Sequence, residues 1–365
     1  MPPTLEADFI GRPQATSISI ALEPAHNVLN SLILLNTVDK LSGLGEWVER
    51  TAAQLAPALL HRNQLVLEGL HYAALPDRRW PSFTAYLDDL AARDPIELRD
   101  RLLWHISRPS LKSSSGAARR QLIEPTALLA SLETYLTFLQ QHFHAIDVPI
   151  ETETHALLND PPAMRQLIVA HLREMWHAHM SAEWERVKPM LQEAVGAFGH
   201  LDLRRMSGAA AMRMFTGQEP DERWEQLIAA SRQMIFVPSA HLGPYVRKFM
   251  DEQTLWVLFG ARPPAGAESG ASALGRSDLL TRLSALTDDT RLRILALLSQ
   301  HDELCAQDIM AELDLTQSAT SRHLRQLSAT GYVTERRREI AKCYTLNRER
   351  VRETFDALDR FLSRR

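Results

Sequence analysis

The spacing of apolar residues predicts helices over most of the N-terminal two thirds of the chain. Apolar positions recur every three or four residues among Glu, Gln, Arg and Ala, which is the period of an amphipathic helix. The segments with this pattern are residues 47–60, 81–92, 95–106, 126–143, 163–198 and 221–230. We expect Pro189 to kink or divide the longest of them, because proline has no backbone N–H to donate.

Three short segments have a different pattern and predict strands. Residues 16–22 alternate Ile18, Ile20 and Leu22 with small residues, and residues 233–237 and 254–259 are rich in β-branched and aromatic side chains. A single strand leaves its backbone hydrogen-bonding groups unpaired. We therefore expect residues 18–20 to pair with one or both later segments, within a mainly α fold that has a few short strands.

A composition change divides the chain. Residues 260–276 are rich in Gly, Pro, Ala and Ser and contain one large apolar residue, which is typical of a linker. We predict a helix-rich N-terminal domain over residues 1–260, a linker over 261–276 and a C-terminal domain over 277–365.

The C-terminal segment has the pattern of a winged helix-turn-helix. Predicted helices over 277–286 and 288–298 precede two short helices, 306–313 and 316–330, that are separated by a tight turn, and Gly331 follows the second of them. Predicted strands over 332–335 and 341–346 form a hairpin, and Asn347 caps a last helix.

The distribution of charge along the chain indicates what kind of partner it binds. With 45% apolar and 24% charged residues the chain is an ordinary globular protein with a net charge of −4. Residues 316–352, however, contain nine basic and three acidic residues, a concentration of positive charge that suits a polyanion. The apolar runs are too short to span a membrane and no export signal opens the chain, so we expect a cytoplasmic protein without membrane contact.

Particular side chains suit contact with double-stranded DNA. On the second helix of the motif, small polar residues and arginines face outward and match the donors and acceptors of the major groove. The arginines and lysine of the hairpin suit backbone phosphates. The predicted DNA-binding residues are Gln317, Ser318, Ser321, Arg322, His323, Arg325, Arg336, Arg337, Arg338 and Lys342. His323 either contacts phosphate or packs inside.

Two apolar stripes predict a dimer. One lies on the first C-terminal helix and the other on the last, and a twofold pairing of both would place two reading helices on two half-sites. The predicted dimer residues are Leu279, Leu280, Leu283, Val351, Phe355 and Leu358.

The segments 289–295, 317–327 and 331–333, in this order of elements, resemble the ArsR family of winged-helix repressors. The resemblance implies a homodimer on a partly palindromic operator, controlled by a signal. Metal-sensing members carry two cysteines where this chain has Glu303-Leu-Cys-Ala-Gln-Asp-Ile309, with Gln307 at the second position, and no histidine follows His323. We expect no bound metal, because a lone thiolate is a poor site.

The only cysteines are Cys305 and Cys343, too few for a disulfide framework. We expect Cys305 to be a small buried residue, with a single-thiol redox switch as the alternative.

The N-terminal sequence carries no catalytic motif: no Gly-rich phosphate loop, no GxSxG and no cysteine. We predict that it is not an enzyme, needs no cofactor, and serves dimer architecture or the sensing of a small-molecule effector. His171 and His179 share a helix face, and we interpret them as ordinary surface histidines, with a metal site as the alternative. Six tryptophans favour plain core over an effector pocket; they are Trp80, Trp104, Trp176, Trp184, Trp224 and Trp256. Two other functions stay open: an effector-modifying enzyme, or a protein-interaction scaffold, joined to the winged helix.

Overall fold

The computed structural model describes residues 16–107, 123–143, 146–199, 201–261, 276–338 and 341–363. These residues are mostly helical, with two small sheets, which confirms the predicted mainly α fold with a few strands. Among them, no helix is both long and apolar enough to cross a bilayer. We refer to residues 16–261 as the N-terminal unit and to residues 276–363 as the winged helix.

The N-terminal unit consists of helices packed on both faces of one sheet. Its helices are α1 (Pro24–Leu34), α2 (Glu46–Gln54), α3 (Pro57–Gln64), α4 (His71–Ala74), α5 (Phe83–Ala92), α6 (Pro95–Ser107), α7 (Leu132–His142), α8 (Val148–Leu158), α9 (Pro161–Met175), α10 (Ser181–Phe198), α11 (Gly208–Thr216) and α12 (Glu222–Ala230). Single π-helical turns occur at Leu65–Gly69 and Trp176–Met180, and 3-10 turns at Pro125–Leu129 and Leu203–Arg205. Its strands are β1 (Ser17–Ile20), β2 (Gln233–Ser239), β3 (Val246–Asp251) and β4 (Thr254–Gly260).

The four strands form a sheet in the order β1-β2-β4-β3, in which β1, β2 and β4 are parallel and β3 is antiparallel to β4. The predicted pairing of residues 18–20 with a later segment is confirmed, since Ile18 pairs with Met234. Strands β2 and β4 are buried on both faces, as parallel strands usually are. Ile235 and Trp256 pack into the larger core under the helices, and their neighbours Met234 and Leu255 into a smaller core on the opposite face.

Helices α1, α4, α8 and α11 and strand β3 are absent from the sequence prediction. Every residue of α1 is buried, so its apolar positions show no amphipathic period that a sequence could reveal. In strand β3, Arg247 and Lys248 interrupt the run of apolar side chains, and the strand is only partly buried. The strand prediction rested on apolar runs and therefore passed over it.

Three predicted helix boundaries are wrong. The predicted helix over 47–60 ends at Gln54 and a new helix begins at Pro57, because the residue before a proline is disfavoured in the helical conformation. The 126–143 segment begins as a 3-10 turn before α7. Pro189 lies inside α10 and does not divide it; the interruption of the 163–198 segment is the π-helical turn that precedes α10.

The winged helix has the predicted elements in the predicted order, together with one short strand, β5, that was not predicted. They are α13 (Arg276–Leu286), α14 (Asp289–Ser299), β5 (Leu304–Cys305), α15 (Ala306–Leu313), α16 (Gln317–Ala329), β6 (Val333–Arg338), β7 (Ala341–Leu346) and α17 (Arg348–Ser363). Its strands form an antiparallel sheet in the order β5-β7-β6. Nearly all of the predicted linker, 262–275, lies outside the described residues, so the domain boundaries stay predictions.

Candidate nucleic-acid interface

Helices α14, α15 and α16 hold a common core, in which Ile294, Leu298, Ile309, Leu324 and Leu327 are all buried. Helix-turn-helix geometry depends on this core, since the two helices of the motif touch mainly through it. Leu324 and Leu327 form the inward face of α16 in this core. The outward face of α16 is therefore fixed by the packing of its inward face.

The ends of these helices are set by side-chain and backbone caps. The Asp288 Oδ1 accepts a hydrogen bond from Arg291 N at 3.0 Å and begins α14. Asp314 ends α15 in the left-handed conformation, with φ 52°, and Thr316 Oγ1 caps α16 by accepting from Ala319 N at 3.3 Å. Gly331 follows α16 with φ +80°, as the sequence predicts for a C′ glycine.

The predicted DNA-contacting side chains of α16 differ in how exposed they are. Gln317, Ser318 and Arg325 are exposed, whereas Ser321 and Arg322 are half-buried. The Nε atom of Arg322 is buried and has no hydrogen-bond partner among the described residues. The exposed part of this face is therefore the N-terminal turn of α16 together with Arg325, and Arg322 between them is partly buried.

His323 packs inside the winged helix rather than on its surface. It is 6% exposed, and its Nδ1 lies 3.6 Å from Asp288 Oδ1. Burial lowers the pKa of His323, assisted by the Arg291 and Arg322 guanidiniums and opposed by Asp288. A neutral, buried imidazole suits the packing alternative for this residue.

The wing presents its basic residues in the β6–β7 register. Arg336 lies opposite Cys343, Arg337 opposite Lys342 and Arg338 opposite Ala341. Arg336 Nη2 is 3.0 Å from Glu303 Oε2, and Lys342 Nζ is 2.6 Å from Glu335 Oε1. Such exposed pairs contribute about 0 to 1 kcal/mol, so a phosphate can displace them. Arg338 is exposed, and the side chain of Arg337 lies outside the described part of the chain.

The C-terminal half of α16 packs against the N-terminal unit, which sequence reasoning missed. Ser42 Oγ donates to Gln326 Oε1 at 2.6 Å, Arg325 Nη1 donates to the Lys40 carbonyl at 3.1 Å, and Gln218 Nε2 donates to the Ala329 carbonyl at 3.3 Å. Ser42 and Gln326 are 284 positions apart in sequence. No sequence pattern marks such a pair, because neither element shows a period that the contact would produce. We call these three hydrogen bonds the docking contact.

Two glycines allow the docking contact to form. Gly43 has φ +77° and lies against the Gln326 amide, and Gly243 has φ +61° and lies against the Gly43 carbonyl. A Cβ at either position would overlap these atoms, and the positive φ would strain any other residue. The backbone therefore approaches α16 more closely than a chain with side chains at these positions would.

The expectation that Cys305 is a lone thiol is wrong. Cys305 and Cys343 are register partners on β5 and β7, and a disulfide joins them. They are 38 positions apart in sequence, and only the strand register brings them together. Cys343 is fully buried, while Cys305 is half-buried. The disulfide ties the base of the wing to the start of α15.

The predicted dimer residues divide into two groups. Leu279 is 3% exposed, while Leu283, Val351 and Leu358 are half-buried. Leu280 and Phe355 are 57% and 53% exposed. The apolar ends of α17, Phe361 and Leu362, are exposed as well.

A buried polar chain crosses the N-terminal unit beside the docking contact. Ser31 Oγ and His241 Nδ1 are hydrogen-bonded at 2.7 Å, and His241 Nε2 donates to Glu183 Oε1 at 2.7 Å. A serine, a histidine and a carboxylate in this order also occur in hydrolases. Here Ser31 lies in the wholly buried α1 and donates to the Asn27 carbonyl at 2.9 Å. This row of hydrogen bonds therefore anchors the segment after β2.

The other chemical features of the N-terminal sequence lie in its core. His171 is fully buried, and its Nε2 is 3.0 Å from Asn63 Oδ1, whereas His179 is half-buried. The interpretation of His171 as a surface histidine is wrong, since α9 turns that face inward. In the described ranges, no three His, Cys, Asp or Glu side chains are grouped to hold a metal ion. Trp184 and Trp256 are core residues, and Trp104 is 38% exposed.

Comparison with known proteins addresses the C-terminal part. Residues 288–335, from the cap of α14 into β6, match the family described as bacterial regulatory protein, arsR family. Arsenic resistance transcriptional regulator ArsR1 of Pseudomonas putida is 38% identical over 73 residues, which are 20% of this chain and 56% of that protein. ArsR2 of the same organism is 38% identical over 65 residues, or 18% of this chain and 56% of that protein.

The chain thus spans just over half the length of the curated relatives it matches. The match includes both helices of the motif, the turn between them and the first wing strand, which are the elements that the structure assembles around one core. Residues 276–363 form a winged helix-turn-helix, and residues 288–335 within it match the arsR family.

Proposed function

We propose that this protein is a sequence-specific DNA-binding transcriptional regulator that acts as a homodimer and represses its target. One observation carries the proposal: the N-terminal turn of α16 is exposed, and so are Arg336, Arg338 and Lys342 on the wing of the same domain. A helix with small polar residues at its start and arginines behind them suits the major groove, and a basic hairpin suits the flanking phosphates. Both named relatives are transcriptional regulators, which supports the same function here.

The proposal assigns the two ends of α16 to different tasks. Gln317 and Ser318 read base edges, and Arg322 and Arg325 complete the contact after reorientation, for which Arg325 gives up its hydrogen bond to the Lys40 carbonyl. The docking contact holds the other end of the helix on the N-terminal unit, so the N-terminal unit determines where the reading helix points. Metal sensing is not part of the proposal, because Cys305 is joined to Cys343 and Gln307 supplies no thiolate.

Dimerisation is proposed through the exposed part of the predicted seam. Leu280 and Phe355 leave large apolar surfaces uncovered on α13 and α17, two helices that pack on each other. Scattered apolar side chains are common on surfaces, but adjacent ones on paired helices favour a protein interface. A twofold axis there would present two α16 helices to one face of a duplex.

Selection of genomic fragments with the purified full chain tests the function, followed by fluorescence anisotropy on the best fragment at two salt concentrations. We expect a two-fold symmetric site with half-sites about 34 Å apart or a multiple of that. Affinity should fall steeply with salt, because phosphate contacts release counterions. The control is a shuffled fragment of equal length.

Equal affinity for the selected and shuffled fragments would contradict sequence-specific regulation. Absence of DNA binding, together with a protein that co-purifies in stoichiometric amount, would favour the scaffold alternative instead. Gln317→Ala should lower affinity for the selected fragment only. Gln226→Ala, the same change at an exposed position on α12 of the N-terminal unit, is the matched control.

A further inference from the structure

The Cys305–Cys343 disulfide lies where the wing joins the helix-turn-helix. Cys343 belongs to β7, where it follows Lys342 and lies opposite Arg336 of β6 in the strand register. Cys305 ends β5 and is the N-cap residue of α15, which shares the core of α16. The sequence contains no other cysteine. One covalent bond therefore connects the basic hairpin to the helix that supports the reading helix.

Strand β5 is only two residues long and pairs with two residues of β7. A ladder of this length is marginal by itself, because ordering each residue costs conformational entropy. The neighbouring ion pair of Glu303 with Arg336, at 3.0 Å, lies at the surface, where solvent and salt weaken it. The disulfide is therefore the strongest tie between β5 and β7.

The two cysteines differ in their access to solvent. Cys305 is half-buried, whereas Cys343 is fully buried. A thiol reduces a disulfide by attack of its thiolate on one of the two sulfurs, so the reaction depends on access to that sulfur. An external thiol or oxidant therefore reaches Cys305 first, and Cys343 is the internal partner that the protein shields from side reactions.

A disulfide in a DNA-binding protein meets a reducing environment. Glutathione and thioredoxin keep most cytosolic thiols reduced, and the disulfides that do occur there are usually transient, catalytic or redox-sensing. A transcriptional regulator works on the chromosome in that environment, and this step rests on the proposed function. A bond with one accessible member therefore suits a changing redox state better than a permanent cross-link.

We propose that Cys305 and Cys343 form a reversible thiol–disulfide switch, which hydroperoxides oxidise and thiols reduce, and that the oxidised form binds DNA more tightly. In the oxidised form β5 and β7 are joined, so the wing and α15 keep one relative placement before DNA binds. In the reduced form DNA binding must itself order this junction, and that entropy loss lowers the affinity. The redox chemistry stands on the cysteine pair, while its effect on DNA rests on the proposed function.

Oxidation of the pair takes two steps. The Cys305 thiolate attacks one oxygen of hydrogen peroxide, the O–O bond breaks, hydroxide leaves and a sulfenic acid forms at Cys305. The Cys343 thiol then attacks the sulfenic sulfur, the S–O bond breaks, and the hydroxyl group leaves as water with the thiol proton. The two thiols lose two electrons and two protons in total, and the peroxide becomes two molecules of water.

Reduction runs through thiol–disulfide exchange. An external thiolate attacks the Cys305 sulfur, and Cys343 leaves as a thiolate that takes up a proton. A second external thiol then attacks the mixed disulfide, forms a disulfide with the first one and releases Cys305. The two electrons come from the two external thiols.

Equilibration of the native full chain with glutathione buffers tests the switch itself. Excess N-ethylmaleimide in urea then labels each free thiol, and mass spectrometry counts the adducts, which come from these two cysteines alone. We expect no adducts after hydrogen peroxide, two after millimolar reduced glutathione, and none after renewed peroxide. A chain that stays unlabelled after native treatment with glutathione, but gains two adducts when it is reduced in urea, has a structural disulfide and overturns the switch.

Anisotropy titrations of the selected fragment compare the two redox forms of the parent protein. The oxidised form should bind at least about fivefold more tightly than the form reduced with dithiothreitol, which is the lower end of usual couplings between two sites. The control is Cys305→Ala combined with Cys343→Ala, verified as folded by circular dichroism. Its affinity should match that of the reduced parent and should not respond to peroxide or dithiothreitol. Tighter binding by the reduced parent would overturn the proposed direction.

The parent protein supplies a second measurement that does not depend on this variant. Because coupling is reciprocal, the selected fragment should make the disulfide harder to reduce by the same factor by which oxidation tightens DNA binding, and the shuffled fragment should have a smaller effect. For a tenfold factor the reduction midpoint falls by about 30 mV.

The two readouts separate the switch from the proposed function. Reversible labelling with equal DNA affinity of both redox forms overturns the coupling and leaves DNA recognition intact. Reversible labelling without specific DNA binding in either form contradicts the regulator, while the redox pair stands. Specific DNA binding with a disulfide that native glutathione does not reduce overturns the switch alone.

Discussion

Ser42 of the N-terminal unit donates a 2.6 Å hydrogen bond to the side chain of Gln326, on the inner face of the helix proposed to read DNA. Gln326 is 2% exposed, so this bond satisfies a polar group that packing has removed from water. The helix whose N-terminal turn is open to a duplex is thus held at its other end by a residue 284 positions earlier in the chain.

Ser42→Ala is expected to loosen the docking contact. It leaves the buried Gln326 Oε1 without this donor and should cost about 1 to 2 kcal/mol of docking free energy. Hydrogen exchange measured by mass spectrometry should then rise in residues 37–44 and in the C-terminal half of α16. Ser299→Ala removes a hydroxyl that bonds within its own helix and is the control. Unchanged exchange in both segments would show that the bond does not hold the units together.

Arg322→Ala and Arg338→Ala should have different effects on DNA binding. Loss of Arg322 removes a base contact and should cost about 1 to 3 kcal/mol at the selected site, with relaxed specificity. Loss of Arg338 removes a phosphate contact and should weaken all DNA alike, with the salt slope reduced by about one. Anisotropy titrations on selected and shuffled fragments measure both. Identical behaviour of the two variants would refute this division.

If the proposed dimer forms, Leu280→Glu combined with Phe355→Glu should convert it to a monomer. Both side chains are more than half exposed, so the introduced charges should lower the stability of the folded chain little. They should, however, repel the same charges of a second copy across the dimer interface. Sedimentation velocity measures the change in mass. Ile96→Glu alters an equally exposed side chain of the N-terminal unit and is the control. If the double variant keeps the mass of the parent dimer, the interface lies elsewhere.

Reduction of the Cys305–Cys343 disulfide should destabilise the winged helix. A cross-link between residues 38 positions apart restricts the unfolded chain and contributes about 4 kcal/mol on chain-entropy grounds. Urea unfolding with and without dithiothreitol should show this difference in the parent protein. In Cys305→Ser the reductant should have no effect. If dithiothreitol leaves the stability of the parent protein unchanged, the disulfide does not contribute to it.

Glu183 should add an acid-sensitive component to stability. Burial by itself would raise its pKa, but hydrogen bonds from His241 and Arg186 lower it from the ordinary 4.5 to about 2. Because the folded pKa lies below the unfolded one, this stabilisation is complete above pH 4.5 and is lost as the pH falls toward 2.

Glu183→Gln tests this stabilisation by urea unfolding at several pH values. The variant should lose about 3 kcal/mol at neutral pH, and its deficit should shrink as the pH falls through that window. Glu153→Gln alters a half-exposed partner of His61 and should show a much smaller effect. A deficit that stays constant from neutral pH to pH 3 would contradict the charged role of Glu183.

The winged helix could be predicted closely because its signals are local. The caps at Asp288, Thr316 and Asn347 and the C′ glycine Gly331 are set by residues within one turn of each helix end. The prediction missed the pairing of Cys305 and left two positions open for His323, because these depend on strand register and on packing against α14. Periodicity cannot supply either, because both concern neighbours distant in sequence.

The N-terminal unit shows the opposite balance. The strands β1, β2 and β4 and several helices were predictable from their periods, but α1 was not, because a helix buried on all sides has no polar face. Sequence reasoning could not predict the hydrogen bonds among Ser31, His241 and Glu183, or the docking contact, for a related reason. Their members are ordinary residues that acquire a role only through contacts more than 50 positions apart.

The sequence by itself determined the fold class, the winged helix and its basic surface, since these follow from local periodicity, capping and charge density. The tertiary structure decided which end of α16 is open, which polar groups are buried, and where the two units contact each other. Those features depend on the relative placement of distant segments. Many weak contacts acting together fix that placement, and no single segment encodes it.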